Sequence, residues 1–111
     1  MEYTKEQLEK LLEEKSLALI SAKQEINSLV EIYNEFSTNY TQVKYQAHQY
    51  LNNYQEVPKT YKIRISSLNS IMSVLKTKIA AKKKEYQDLF LEIENITEDL
   101  MKLSKKKSSK K

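Results

Sequence analysis

The sequence has no glycine, no cysteine and a single proline in 111 residues. Glycine reaches positive φ without steric cost, so its absence excludes glycine-built phosphate loops and leaves few tight turns. A sheet protein needs many such turns, and the composition therefore points to long helices. The lack of cysteine excludes a disulfide framework and thiolate metal sites, and fits a reducing compartment. Long apolar runs are also missing, so no segment reads as a single membrane-spanning helix. The first twenty residues carry Glu2, Glu6, Glu9, Glu13 and Glu14 without an apolar core, which is not the pattern of a signal peptide. The length allows one domain at most. The expectation is a soluble cytoplasmic protein.

Charge is abundant but unevenly placed. Residues 1–57 hold five Lys and nine Glu, and residues 58–111 hold thirteen Lys and Arg64 against six acids. Five of the positive residues are Lys105, Lys106, Lys107, Lys110 and Lys111. Without them the protein is close to neutral, which argues against a general nucleic-acid surface. This tail reads as a solubilising end, as a contact for anionic lipid, or as an import or phosphate-binding arm. Phosphorylation of Ser104, Ser108 or Ser109 would lower its charge.

The tyrosines pose the sharper question, because five of the eight fall between Tyr33 and Tyr54. Rings among polar and basic residues can stack nucleic-acid bases or can pack a helix. Spacing favours packing. With Leu8 at heptad position d and Leu12 at a, alternate steps of three and four reach Lys15, Leu19, Ala22, Ile26, Leu29, Tyr33, Phe36, Tyr40, Val43, Ala47, Tyr50 and Tyr54. A second run reaches Ile65, Leu68, Met72, Leu75, Ile79, Lys82, Tyr86, Leu89, Ile93, Ile96, Leu100 and Leu103. A sustained period of 3.5 residues is a coiled-coil seam. Four of the five clustered tyrosines lie on it, and only Tyr45 falls off.

These runs predict an all-α chain of two long heptad-patterned helices, folded as a hairpin or extended as a kinked rod. The coiled-coil domain is set at residues 1–103 with a break near 52–62, followed by a basic disordered tail at 104–111. Thr4 and Gln7 are spaced as a capping box at the start of the first helix, and Tyr3 and Leu8 as a hydrophobic staple. Pro58 disfavours an unbroken helix, Asn52 and Asn53 tolerate a left-handed helix end, and no good cap precedes Pro58. Two helices facing each other bury only a narrow stripe, so a monomer should be marginal. The seam from Leu19 to Tyr54 and from Ile65 to Leu100 is accordingly the candidate surface for helices of other subunits.

Nothing in the sequence gathers a catalytic constellation. His48 is the only histidine and falls at the outward b position, and Glu92, Glu94, Glu98 and Asp99 scatter over faces away from the seam. No enzyme activity, cofactor, metal or small-molecule substrate is expected. Lys15 and Lys82 interrupt otherwise apolar seams at position d. In a hairpin folded near residue 56 they lie level with Ile96 and Leu29, with no acid directly across. Charge in a seam sets register or partner choice, and a carboxylate from a partner helix is the expected counterion.

The stretch "YKIRISSLNSIMSVLKTKIAAKKKEYQDL", residues 61–89, resembles the pallidin and snapin family of small helical subunits. The matched features are Tyr61, Arg64, Met72, Leu75, Lys78, Lys83, Lys84 and Leu89, with the break at Pro58 ahead of them. The first helix is richer in tyrosine than the family pattern. The resemblance implies a non-enzymatic subunit of the complex for biogenesis of lysosome-related organelles, acting at endosomes. It implies other coiled-coil subunits and membrane-fusion proteins as partners. A nuclear or kinetochore-type coiled-coil subunit with a DNA-contacting or import tail is the alternative. A prefoldin-type chaperone would need β-hairpin residues between the helices, and "NNYQEVPKTY" is too short for them.

Overall fold

A computed structural model describes residues 3–109, with side chains through Ser104. Two helices account for nearly all of it: α1, Lys5–Tyr54, and α2, Lys59–Ser109. No strand occurs among the described residues. The chain forms two compact units, Met1–Glu25 with Lys82–Lys111, and Ile26–Ala81. The helices run antiparallel in each, and the rod alternative falls away. No described helix is long and apolar enough to cross a membrane. The tail lysines from Lys105 onward lie outside the described side chains.

The heptad register explains the packing. Between Lys62 and Ser104 of α2, the residues withdrawn from solvent are the twelve seam positions and no others. On α1 the seam is withdrawn from Leu8 to Ala47, joined at its flanks by Leu11, Ser16, Val30 and Ser37. Burial is nonetheless shallow. Among the described residues, Leu8, Ala22, Ile26, Val43, Ala47 and Leu68 make up the buried core, and no side chain is fully buried. A two-helix layer covers one stripe of each helix and leaves the edges of that stripe wet.

Both helix starts are satisfied locally. The Thr4 amide donates to Gln7 Oε1 at 2.9 Å, and the Gln7 amide donates back to Thr4 Oγ1 at 3.2 Å. This reciprocal pair is the capping box, and the Leu8 amide adds the first helical bond to the Thr4 carbonyl at 3.0 Å. Leu8 is buried, whereas Tyr3 stays 55% exposed. At the second start, the Pro58 carbonyl accepts from the amides of Tyr61 and Lys62 at 3.1 and 3.3 Å. Proline has no amide to lose there, so Pro58 begins α2 rather than merely interrupting a helix.

The connector is residues 55–58, and its left-handed residue is Gln55 at φ 56° rather than Asn52 or Asn53. Those asparagines are still inside α1, and the left-handed residue comes two or three positions past the point their chemistry suggested. The Gln55 amide donates to the Leu51 carbonyl at 2.8 Å, closing the helix by a single bond across the left-handed residue. A side chain at positive φ costs about 1–2 kcal/mol that glycine avoids. Gln55→Gly should therefore stabilise the chain by about 1 kcal/mol in urea titrations, and Gln55→Val should destabilise it. Thr4→Ala should cost about 1 kcal/mol by loss of the cap.

Candidate functional site: a seam with two unlike grooves

The site is the seam itself, seen from its two sides. Each residue just before a seam position lies on one side of the helix pair, and each residue just after lies on the other. These two sides carry different chemistry.

On the preceding side, both seam lysines find acids. Lys15 Nζ lies 2.8 Å from Glu92 Oε2, and Lys82 Nζ lies 2.7 Å from Glu25 Oε2 and 3.2 Å from Glu85 Oε2. All five residues belong to the unit formed by the open ends of the helices. The expected counterion from a partner helix is thus replaced by one from the same chain. Glu92 precedes Ile93 and Glu25 precedes Ile26, each about one helical turn along from the residue level with the lysine. A turn is about 5.4 Å, within reach of a lysine side chain. Considering only residues directly across misses such diagonal pairs. Lys and Glu stand ten positions apart in each helix, 15 with 25 and 82 with 92. In an antiparallel pair they cross reciprocally, so the two bridges specify the same register.

The ion pairs raise both lysine pKa values above the ordinary 10.5. For Lys15 the hydrogen bond to Glu92 is the main cause, followed by its charge; for Lys82 the hydrogen bonds to Glu25 and then Glu85 lead. The side chains of Lys15 and Lys82 remain about one third exposed, at 35% and 34%. Solvent screens such pairs, so their value lies in choosing a register more than in stability.

On the following side, lysines lie over seam tyrosines. Lys23 Nζ sits 5.6 Å from the centre of the Tyr86 ring, and Lys44 Nζ sits 5.1 Å from that of Tyr40. These are cation–π contacts. The rings are therefore packed and capped by charge, which leaves no free stacking platform at either position.

The tip departs from the seam as read from sequence. Tyr50 and Tyr54 are 37% and 72% exposed, the last because α1 ends there. Tyr50 packs instead against Tyr61, with ring centres 5.2 Å apart, and against Tyr54 at 5.8 Å. Tyr61 extends the seam of α2, since one further step of four back from Ile65 reaches it. An open pocket of about 480 Å3 is lined by Tyr50, Tyr54, Glu56 and Pro58. His48 is exposed, and no cluster of metal-ligating side chains occurs among the described residues.

No protein-family model, curated protein or solved structure matches this chain. The described residues offer apolar stripes and paired charges along the seam.

Two outcomes follow for the lysine bridges. A lysine with a raised folded pKa contributes its full stabilisation below the ordinary value of 10.5 and loses it as pH climbs through the folded value. The melting temperature should thus hold up to about pH 10 and fall beyond it, more steeply than in a Lys15→Met, Lys82→Met variant. Lys15→Glu should lower the melting temperature by setting two carboxylates together, and adding Glu92→Lys should restore most of the loss.

Proposed function

We propose that this chain is a non-enzymatic helical-hairpin subunit of a hetero-oligomeric coiled-coil assembly, and that its seam is completed by helices beyond its own two. The observation that carries this reading is a heptad seam along both helices with only six buried side chains among the described residues. A second observation agrees. Ile20, Leu51, Phe90 and Met101 are exposed apolar residues just after seam positions, where a further helix would cover them.

The resemblance of residues 61–89 to the pallidin and snapin family supplies the cellular setting we propose, sorting between endosomes and lysosome-related organelles. In that setting the tail lysines would meet anionic membrane, and membrane-fusion proteins would join the coiled-coil subunits as partners. A nuclear assembly is the second reading, favoured by the same basic tail.

Purification of the tagged full-length chain, with its partners identified by mass spectrometry, tests the assembly. Coiled-coil subunits should co-purify, and Leu51→Asp with Phe90→Asp should release them while circular dichroism stays unchanged. Alone, the chain should be highly helical and melt broadly. A sharp, concentration-independent melt of a partnerless monomer would show that its two helices suffice. Removing residues 105–111 should weaken binding to acidic liposomes and leave assembly intact; loss of nuclear signal instead would favour the nuclear setting.

A further inference from the structure

The connector end of the hairpin carries bare apolar side chains in a basic surround. From residue 36 to residue 81 there is one acid, Glu56, against six basic residues. Three of the six, Lys59, Lys62 and Arg64, fall in the first two turns of α2, and all three are exposed. None of them belongs to an ion pair among the described residues. Tyr54 closes α1 at 72% exposure, and Ile63, between Lys62 and Arg64, is 56% exposed. Tyr50, Tyr54, Glu56 and Pro58 line the open pocket at this end. The whole patch lies in the unit Ile26–Ala81. Exposed apolar groups kept beside unpaired positive charge mark a contact surface.

The positions of these side chains say what kind of surface they meet. Tyr54 is at heptad position a, facing the seam, whereas Ile63 is at f, facing away from it. A further helix laid along the pair covers one of these faces and not the other. A surface that meets the hairpin end-on reaches both, since Ile63 lies only about 6 Å along α2 from its first residue. Nucleic-acid bases would stack on flat rings, yet Tyr50 and Tyr61 are already packed together at 5.2 Å, and Ile63 has no ring to offer. A phospholipid interface takes up all of these groups. Apolar side chains enter the acyl boundary, a tyrosine hydroxyl stays among the headgroups, and lysine and arginine stems reach back to phosphate. We infer that the connector end of the hairpin docks on an anionic phospholipid bilayer. Tyr54 and Ile63 enter its surface, and Lys59, Lys62 and Arg64 meet lipid phosphates. Glu56 opposes the contact as the one carboxylate at this end. The contact is separate from the tail lysines and goes beyond the assembly reading, on which it does not depend.

Vesicle co-sedimentation of the full-length chain is the test, with Lys105, Lys106, Lys107, Lys110 and Lys111 changed to glutamine so that the connector end is read alone. This chain should bind vesicles of phosphatidylcholine with phosphatidylserine, and should not bind phosphatidylcholine alone. Lys59→Gln with Lys62→Gln and Arg64→Gln should weaken binding by about a hundredfold, and Glu56→Gln should strengthen it by about fivefold. Tyr54→Ser with Ile63→Ser should weaken it by about tenfold or more. Lys76→Gln with Lys78→Gln, several turns from the connector, should leave it unaltered. Circular dichroism of each variant separates lost contacts from lost folding. Because the chain has no cysteine, Ile63→Cys can carry a single environment-sensitive fluorophore. That label should brighten and shift to the blue on adding the acidic vesicles. The same label at Ser70→Cys, one heptad and about 10 Å further along the same face, should not respond. A silent label at position 63, an equal response at position 70, or equal weakening by the Lys76 and Lys78 changes would overturn the inference. Binding that vanishes once the tail is neutral would give any membrane contact to the tail and overturn it too, while co-purification of coiled-coil subunits would still support the assembly. A label at position 63 that responds to a single-stranded oligonucleotide and not to vesicles would assign this end to nucleic acid instead.

Discussion

A pair of helices can hide only the stripe along which they touch, and the rest of this structure depends on that limit. Each seam position meets one neighbouring helix, and even the best-covered side chain, Leu8, keeps 3% of its surface. An apolar stripe of this kind is permissive about alignment, since Leu, Ile and Tyr tolerate many neighbours. The chain answers with charge at two chosen steps. Lys15 and Lys82 give up apolar contact in the seam and gain acids that are in reach in one alignment.

The same limit shapes the surface. A groove that stays partly apolar invites unwanted association, and the residues lining it decide which associations succeed. On one side of the helix pair, Glu25, Glu85 and Glu92 hold the seam lysines. On the other side, Lys23 and Lys44 lie over seam tyrosines. The tyrosines belong to this economy of contact as well. Tyr40 and Tyr86 offer a broad ring to the seam and a face to a lysine, whereas the smaller Ala47 is covered without help.

Much of the fold was legible because a period repeated over six heptads averages out local noise. The seam of α2 was readable residue by residue, and the Thr4 cap was readable because both of its partners lie within one turn. The ends of the pattern were harder. Tyr54 fits the period, yet a helix that stops there leaves it with nothing across. Gln55 takes the left-handed turn against its own preference, because in a chain without glycine some side chain has to. The counterions of Lys15 and Lys82 were hidden for a different reason. Periodicity tells which residues share a layer, whereas a long flexible side chain can leave its layer and bond in the next.

The connector of four residues has a consequence for how this chain can change its length. With the turn held at Gln55 and Pro58, every seam residue of α1 is matched to one of α2 by distance from the tip. Inserting or deleting residues in one arm would slide everything beyond it past its neighbour, parting Lys15 from Glu92 and setting wet flanks against dry ones. Only a matching change of whole heptads, made at the same level in the other arm, leaves the pairs intact. Drift in length should therefore be correlated between the arms and quantised in sevens.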